Sequence, residues 1–377
     1  MRQPDPRISD ARKTDLPGLV DALQIGGLTR VAGELVGPCP GPGCGGTDRF
    51  GINIAKNVFN CRICGAKGDA ISLVQLVLGL DFSGALDWLC GPAPELTPQQ
   101  QAEIEARDAA ARRKREADAA RYRAEAVRTA QRLWNAALPA ADTPVVDYLT
   151  RRGLAPRPGA RLPGCFRFEP SARLVVPRPD NAREFLTVHE GPTLLSAVLG
   201  ADDRLVAVHR TWIDLTRPKG RPVIAHPFKP SDTVPAKKVY GAKKGGAIRL
   251  FTPRDASVLV MGEGIETTLT ALRAPIDGAA YWAGVDLGNM GGQRRMGQGL
   301  KFAGIPDMED RDAFVPPPWV HRLIFIQDGD SEPKSTRAKL LAGLRRAMVL
   351  RPGLVGQIVH PGDGVDLNDL VMGVGDV

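Results

Sequence analysis

Four cysteines crowded between positions 39 and 64 constrain the fold of this 377-residue chain more than any other feature. The pattern is Cys39-x4-Cys44, sixteen residues, then Cys61-x2-Cys64. Two paired knuckles joined by a short hairpin supply the four soft ligands that zinc takes in a tetrahedron. Between them, RFGINIAKNVFNC alternates as a β-hairpin does, with Lys56-Asn57 at the turn. Glycines 41, 43, 45, 46 and 65 let the backbone bend tightly around the sulfurs. A small buried cysteine core is the competing reading. Cys90 and Cys165 stand alone, so the six cysteines do not read as a disulfide framework. Cys39, Cys44, Cys61 and Cys64 are expected to hold a structural zinc, because four thiolates leave no open coordination position.

The rest of the chain divides by composition. Residues 1–92 are short, cysteine-bearing and rich in glycine, and residues 93–140 form a helical linker. Thr97 is placed to cap that helix and Pro98 to occupy its first turn, with Leu133 and Trp134 docking its end. Its charged faces read as solvated rather than as a DNA contact. Residues 141–252 carry strand-like pieces (RLVVPR, RLVAVHRTWI, KKVYG) and read as an α+β subdomain with antiparallel strands. From 253 to 377, the runs SVLVMG, AAYWAGV, RLIFIQ and GQIVH alternate with helical stretches, as in an α/β domain with a parallel sheet. The expected fold class is therefore α+β multidomain.

The formal net charge of +8 and pI near 9.3 favour a polyanionic partner. No apolar run is long enough to span a bilayer, and MRQPDPRISDARKTD has no apolar signal core. The expectation is a cytoplasmic protein with no membrane partner.

Three of the apolar runs lead into acids. SVLVMG precedes Glu263-Gly264 and Glu266; RLIFIQ precedes Asp328-Gly329-Asp330; GQIVH precedes Asp363, Asp366 and Asp369. Parallel strands share one carboxyl edge, so acids distant in sequence can converge there. A single such acid is more simply a solvated loop residue. A set of them repels itself unless cations intervene, and hard oxygen ligands suit Mg²⁺ or Mn²⁺. Residues 237–249 add Lys237, Lys238, Lys243, Lys244 and Arg249 among three glycines, a segment able to approach phosphates closely. Upstream lie His209, read as structural, and Arg210.

CPGPGCGGTDRFGINIAKNVFNCRICGAKGDAISLVQ resembles the zinc-binding module of phage- and plasmid-type DNA primases, with a first knuckle two residues longer. The acids resemble those of the Toprim domain of bacterial-type primases, and EGIETTLTAL matches its phage-type form. HRTWIDL and KKVYGAKKGGAIRL resemble the segment that precedes Toprim in such primases. The resemblance implies primer synthesis on single-stranded DNA from nucleoside triphosphates. It implies Glu263, Asp328, Asp330 and Asp366 as catalytic and magnesium-binding residues. Arg49 and Phe50, beside Asp48 and Asn53, would touch template. Arg210, Lys237, Lys238, Lys243 and Lys244 would meet nucleic-acid or nucleotide phosphates.

The nearest approach to a phosphate-binding loop, 329–335, has Pro333 in place of its second glycine. A helicase is therefore expected on a separate chain. The tyrosines lack the context of a topoisomerase nucleophile. A non-catalytic DNA-binding accessory protein of the recombination-mediator kind, or a Toprim nuclease, are the competing readings.

Overall fold

In a computed structural model, residues 5, 7–92, 97–156, 159–181, 183–297, 300–310, 312–329, 332–362 and 367–372 are described. The chain forms two compact units, Met1–Ala117 and Asp118–Val377. It is a mixed α+β protein.

The first unit starts with helices α1 (Arg7–Lys13) and α2 (Leu16–Ala22). A five-stranded antiparallel sheet follows in sequential order: β1 (Thr29–Val31), β2 (Glu34–Cys39), β3 (Gly45–Asn53), β4 (Val58–Cys61) and β5 (Lys67–Gly68). Strands β3 and β4 are the predicted hairpin. Asn57 takes the left-handed backbone that its turn requires (φ 52°). Its side chain accepts from Leu16 N and donates to Thr14 O, each at 2.9 Å, tying the turn to the start of α2.

Alternation puts Phe50, Ile52, Phe59 and Cys61 on one buried face. Helices α3 (Ala70–Leu78) and α4 (Phe82–Cys90) close over that core with Ile71, Leu73, Val74 and Leu86. Asp69 and Asp81 cap them, each accepting from the amide three residues on. Helix α5 (Pro98–Ala136) runs through the boundary between the units. Its start at Pro98 follows from a ring that presets the first turn and lacks the amide hydrogen that would otherwise go unpaired there.

The second unit holds two sheets. The first is antiparallel and built from β6 (Leu138–Pro139), β7 (Phe166–Pro177), β8 (Phe185–Leu199) and β9 (Leu205–Trp212), with helix α6 (Pro144–Arg151) between β6 and β7. A two-stranded ribbon of β10 (Ile224–Ala225) and β11 (Thr233–Val234) precedes its last strand, β12 (Lys237–Gly241). The order is β12-β9-β8-β7-β6.

The second sheet contains β13 (Ile248–Phe251), β14 (Val258–Gly262), β15 (Ala279–Ala283), β16 (Arg322–Ile326) and β17 (Val355–Val359) in the order β13-β15-β14-β16-β17. Only β13 is antiparallel; the other four strands run together. Helix α7 (Ile265–Ala271) follows β14, α8 (Leu287–Gly291) follows β15, α9 (Pro333–Leu350) lies between β16 and β17, and α10 (Leu367–Met372) ends the described chain. One core packs α8 and α9 against the sheet through Met290, Leu340 and Leu344. Another buries Val260, Tyr281 and Ile324 beneath Leu272 and Leu367. Burial on both faces explains why these strands read as unbroken apolar runs.

The chain passes from β14 out to β15, then crosses back to β16 on the other side of β14. Chain order therefore reverses between β14 and β16, and their carboxyl ends flank the crevice where open α/β sheets bind ligands. Among the described residues no single helix is long and apolar enough to cross a membrane.

Phe50 is fully buried, its ring 5.4 Å from that of Phe59. Replacing it with Ala should cost the cysteine-bearing unit roughly 3–5 kcal/mol by chemical denaturation. Arg49→Ala on the exposed face should change stability by less than about 0.5 kcal/mol.

Candidate functional site

The first unit contains a metal-binding geometry. The sulfurs of Cys39, Cys44, Cys61 and Cys64 all lie within 4.8 Å of one another. Cys39 and Cys64 are 3.8 Å apart, Cys44 and Cys61 3.7 Å. A tetrahedron with bonds of about 2.3 Å has edges of about 3.8 Å, so the sulfurs fit zinc. The amides of Cys64 and Ile63 point at Cys61 and lower its pKa to about 6. Burial pushes Cys39 up to about 12, a thiol that ionises only when a cation takes its proton's place. Exposed Arg49 donates to Cys44 O at 3.0 Å, beside this cluster. Phe50, expected to offer its ring to a base, is committed to the core instead.

The second unit contains a cavity of ≈ 300 Å³ at the sheet's switch point. Glu263 leaves β14 and Asp328 follows β16 by two residues; both line the cavity and both are half-buried. Thr267, on α7, donates to Asp328 Oδ1 at 3.2 Å and ties the two strand ends together. Gly262 must be glycine here, since a Cβ would sit 2.8 Å from Thr268 Oγ1, which accepts its amide. Asp330 and Asp366 lie outside the described residues, as does Asp363.

Burial, reinforced by Asp286, raises the Glu263 pKa. Crowded carboxylates of this kind offer the hard oxygens that Mg²⁺ or Mn²⁺ takes. Asp286 sits at the carboxyl end of β15. Its Oδ1 caps α8 through Asn289 N and its Oδ2 pairs with Lys243. Val285, just before it, has φ 74°, a strained setting for a β-branched residue. Asn289 fixes that turn from both sides: it donates to Gly246 O and Gly284 O and accepts from Gly245 N.

Glu266 is 5% exposed, in the first turn of α7. Its Oε1 accepts from the Tyr148 hydroxyl of α6 and its Oε2 from Lys237 of β12, at 2.8 Å. Burial alone would raise its pKa, but the charges of Lys237 and Arg221 and these two hydrogen bonds outweigh it and hold the carboxyl well below its usual range. Arg152 and Arg221 complete the basic wall. Arg152 is 1% exposed; its Nε and Nη1 have no hydrogen-bond partner among the described residues, and Asp369 stands 4.0 Å from Nη1. His209 also lines the cavity, its pKa lowered to about 4 by burial and by Lys237.

The basic middle is largely paired inward. Lys238 donates to Val175 O, Arg210 is buried against Glu169 at 2.6 Å, and Arg249 pairs with Asp203 and stacks on Trp282. Lys244 is the most exposed of the cations named there, 3.9 Å from Asp312. Sequence reasoning missed Tyr148, Arg152, Arg221 and Asp286. Asp286 had a readable signal, since AAYWAGV runs into it as the other strands run into their acids. Arg152 and Arg221 had none, because nothing local marks which arginine a fold turns inward.

A family described as a domain of unknown function, DUF7146, matches residues 124–250. No protein with a curated description matches the chain. Among solved structures, the Aquifex aeolicus primase (zinc-binding and RNA polymerase domains) is similar at 13% identity, covering 98% of this chain and 82% of that one, with a TM-score of 0.37. A DNA primase domain from Pseudomonas aeruginosa is similar at 15% identity over 63% of this chain and 70% of that one, TM-score 0.37. A DnaG primase catalytic domain bound to single-stranded DNA gives 14%, 63%, 72% and 0.34.

Two measurements follow from these environments. The purified protein should carry one zinc per chain by atomic emission, and Cys61→Ser should lose most of it. His209 refuses a proton in the folded state that the unfolded chain accepts near pH 6.5. Stability should therefore fall as pH drops from about 7 to 4, by roughly 3 kcal/mol from this group. His209→Gln should remove that part of the pH dependence in urea titrations at pH 7.5 and 4.5.

Proposed function

We propose that this chain is a primase that joins nucleoside triphosphates into short RNA primers on single-stranded DNA. The observation that carries the reading is one cavity, at the sheet's switch point, holding Glu263 and Asp328 from two adjacent strands opposite Arg152, Arg221 and Lys237. Acids for metal and cations for phosphate in one small space suit nucleotidyl transfer better than simple DNA binding. The cysteine and EGIETTLTAL motifs, with their resemblance to phage-type primases, agree with it.

Glu263 and Asp328, with Asp330 and Asp366, would hold Mg²⁺ or Mn²⁺. When bound, such a cation lowers the pKa of a 3′-hydroxyl and neutralises charge on a leaving pyrophosphate. Where the other acids alone hold the cation, Glu263, made more basic by burial and by Asp286, is suited to take the hydroxyl proton. Arg152 and Arg221 meet the triphosphate, which would pair the Arg152 nitrogens that have no partner among the described residues. Lys244 and, on the first unit, Arg49 are exposed where a phosphate backbone could reach them. We assign residues 1–92 to template capture, 93–140 to a helical tether, 141–252 to the basic part of the catalytic core and 253–377 to its Toprim part. A helicase would be a separate partner.

Labelled nucleotides, single-stranded circular DNA and Mg²⁺ should give short products with the wild type. Glu263→Gln or Asp328→Asn should reduce them at least 100-fold while leaving the melting temperature within a few degrees. DNA binding without products in Mg²⁺ or Mn²⁺ would favour the accessory reading; cut template would favour a nuclease.

A further inference from the structure

Among the described residues, the charged groups lining the cavity cancel. Arg152, Arg221 and Lys237 face Glu263, Glu266 and Asp328, with His209 uncharged near neutral pH. The next pair out, Lys243 with Asp286, cancels as well. Asp369 faces Arg152 but is itself held by Lys219 at 2.7 Å. These three lining carboxylates are not equivalent. Glu263 and Asp328 sit at strand ends where a cation can reach them. Glu266 has both oxygens engaged, one by Tyr148 and one by Lys237, and cannot bind metal without releasing one of them.

We propose that Glu266 makes anion binding in this cavity depend on a divalent cation. By holding Lys237 as its own counter-ion, it leaves the cavity without net positive charge. A polyphosphate then gains little by entering alone. Once divalent cations neutralise Glu263, Asp328 and the acids that share those cations, Arg152 and Arg221 are left in excess and the same anion is attracted. In a half-buried site one unit charge is enough to decide the outcome, because water screens it weakly. This role rests on the nucleotide reading only for the identity of the anion. Glu266 acts through Lys237 and is a specificity-determining residue rather than a catalytic one.

The test is calorimetric titration of the full-length protein with inorganic tripolyphosphate, in EDTA and in Mg²⁺. Wild type should bind at least about tenfold more weakly in EDTA. Glu266→Gln keeps an acceptor for Tyr148 but frees the Lys237 charge, and should raise the EDTA affinity about tenfold or more. Adding Lys237→Gln restores the balance and should return that affinity to the wild-type value. The double variant removes a buried pair together, so it tests the proposal even where the single variant fails to fold.

Equal wild-type affinity in the two buffers overturns the proposal. So does Glu266→Gln that melts normally yet binds no better in EDTA, or a double variant that binds much more weakly than wild type. Wild type that binds tripolyphosphate in Mg²⁺ but not in EDTA, yet takes no nucleoside triphosphate in either buffer, sinks the nucleotide reading and leaves the role of Glu266 standing. No binding by either protein overturns both.

Discussion

The second unit is organised around one buried carboxylate. Glu266 receives a hydroxyl from α6 and an ammonium from β12 while sitting on α7, so three elements meet at its two oxygens. The antiparallel sheet supplies Lys237 and the parallel sheet supplies the helix that carries Glu266. Removing one partner of a buried ion pair costs roughly 3–5 kcal/mol, chiefly because the other charge is stranded. That penalty makes the join between the sheets specific, since sliding either one breaks two charged contacts at once. It also fixes where the basic wall stands relative to the acids of the strand ends.

The rest of the cavity depends on how the parallel sheet is wound. Because β15 and β16 lie on opposite sides of β14, the turns leaving these strands splay apart and open a crevice. Glu263 and Asp328 reach it from adjacent strands, and Thr267 ties them. At the next strand, Val285 is held in a left-handed conformation while Asn289 and Asp286 bond the turn on every side. Strain of this kind persists only where surrounding contacts over-determine it, as they do at this turn beside the crevice.

The first unit solves a different problem. Its core is small, built from hairpin residues such as Phe50, Ile52 and Phe59 under two short helices. A core of that size stabilises weakly, and a zinc bound by the cysteines would add the binding energy that small domains otherwise lack. The four sulfurs belong to the same sheet and turns as that core, so metal binding and burial of Phe50 would reinforce each other.

Much of this was legible in the sequence because its signals are local. Cysteine spacing reports a tetrahedral ligand set, alternation reports a hairpin, and apolar runs bounded by glycine and acid report parallel strands whose ends carry acids. Alternation even contained the fate of Phe50, which shares parity with Ile52 and so shares its buried face. What only the tertiary structure decided was the pairing of charge. KKVYGAKKGGAIR reads as a free cationic segment, yet Lys237, Lys243 and Arg249 each meet an acid distant in sequence. Arg152 and Arg221 look like any surface arginines and line the cavity. Ion pairs between separate elements follow no period along the chain. They depend on which side chains the packed sheets bring within a few ångströms, and that is settled only when the core has formed.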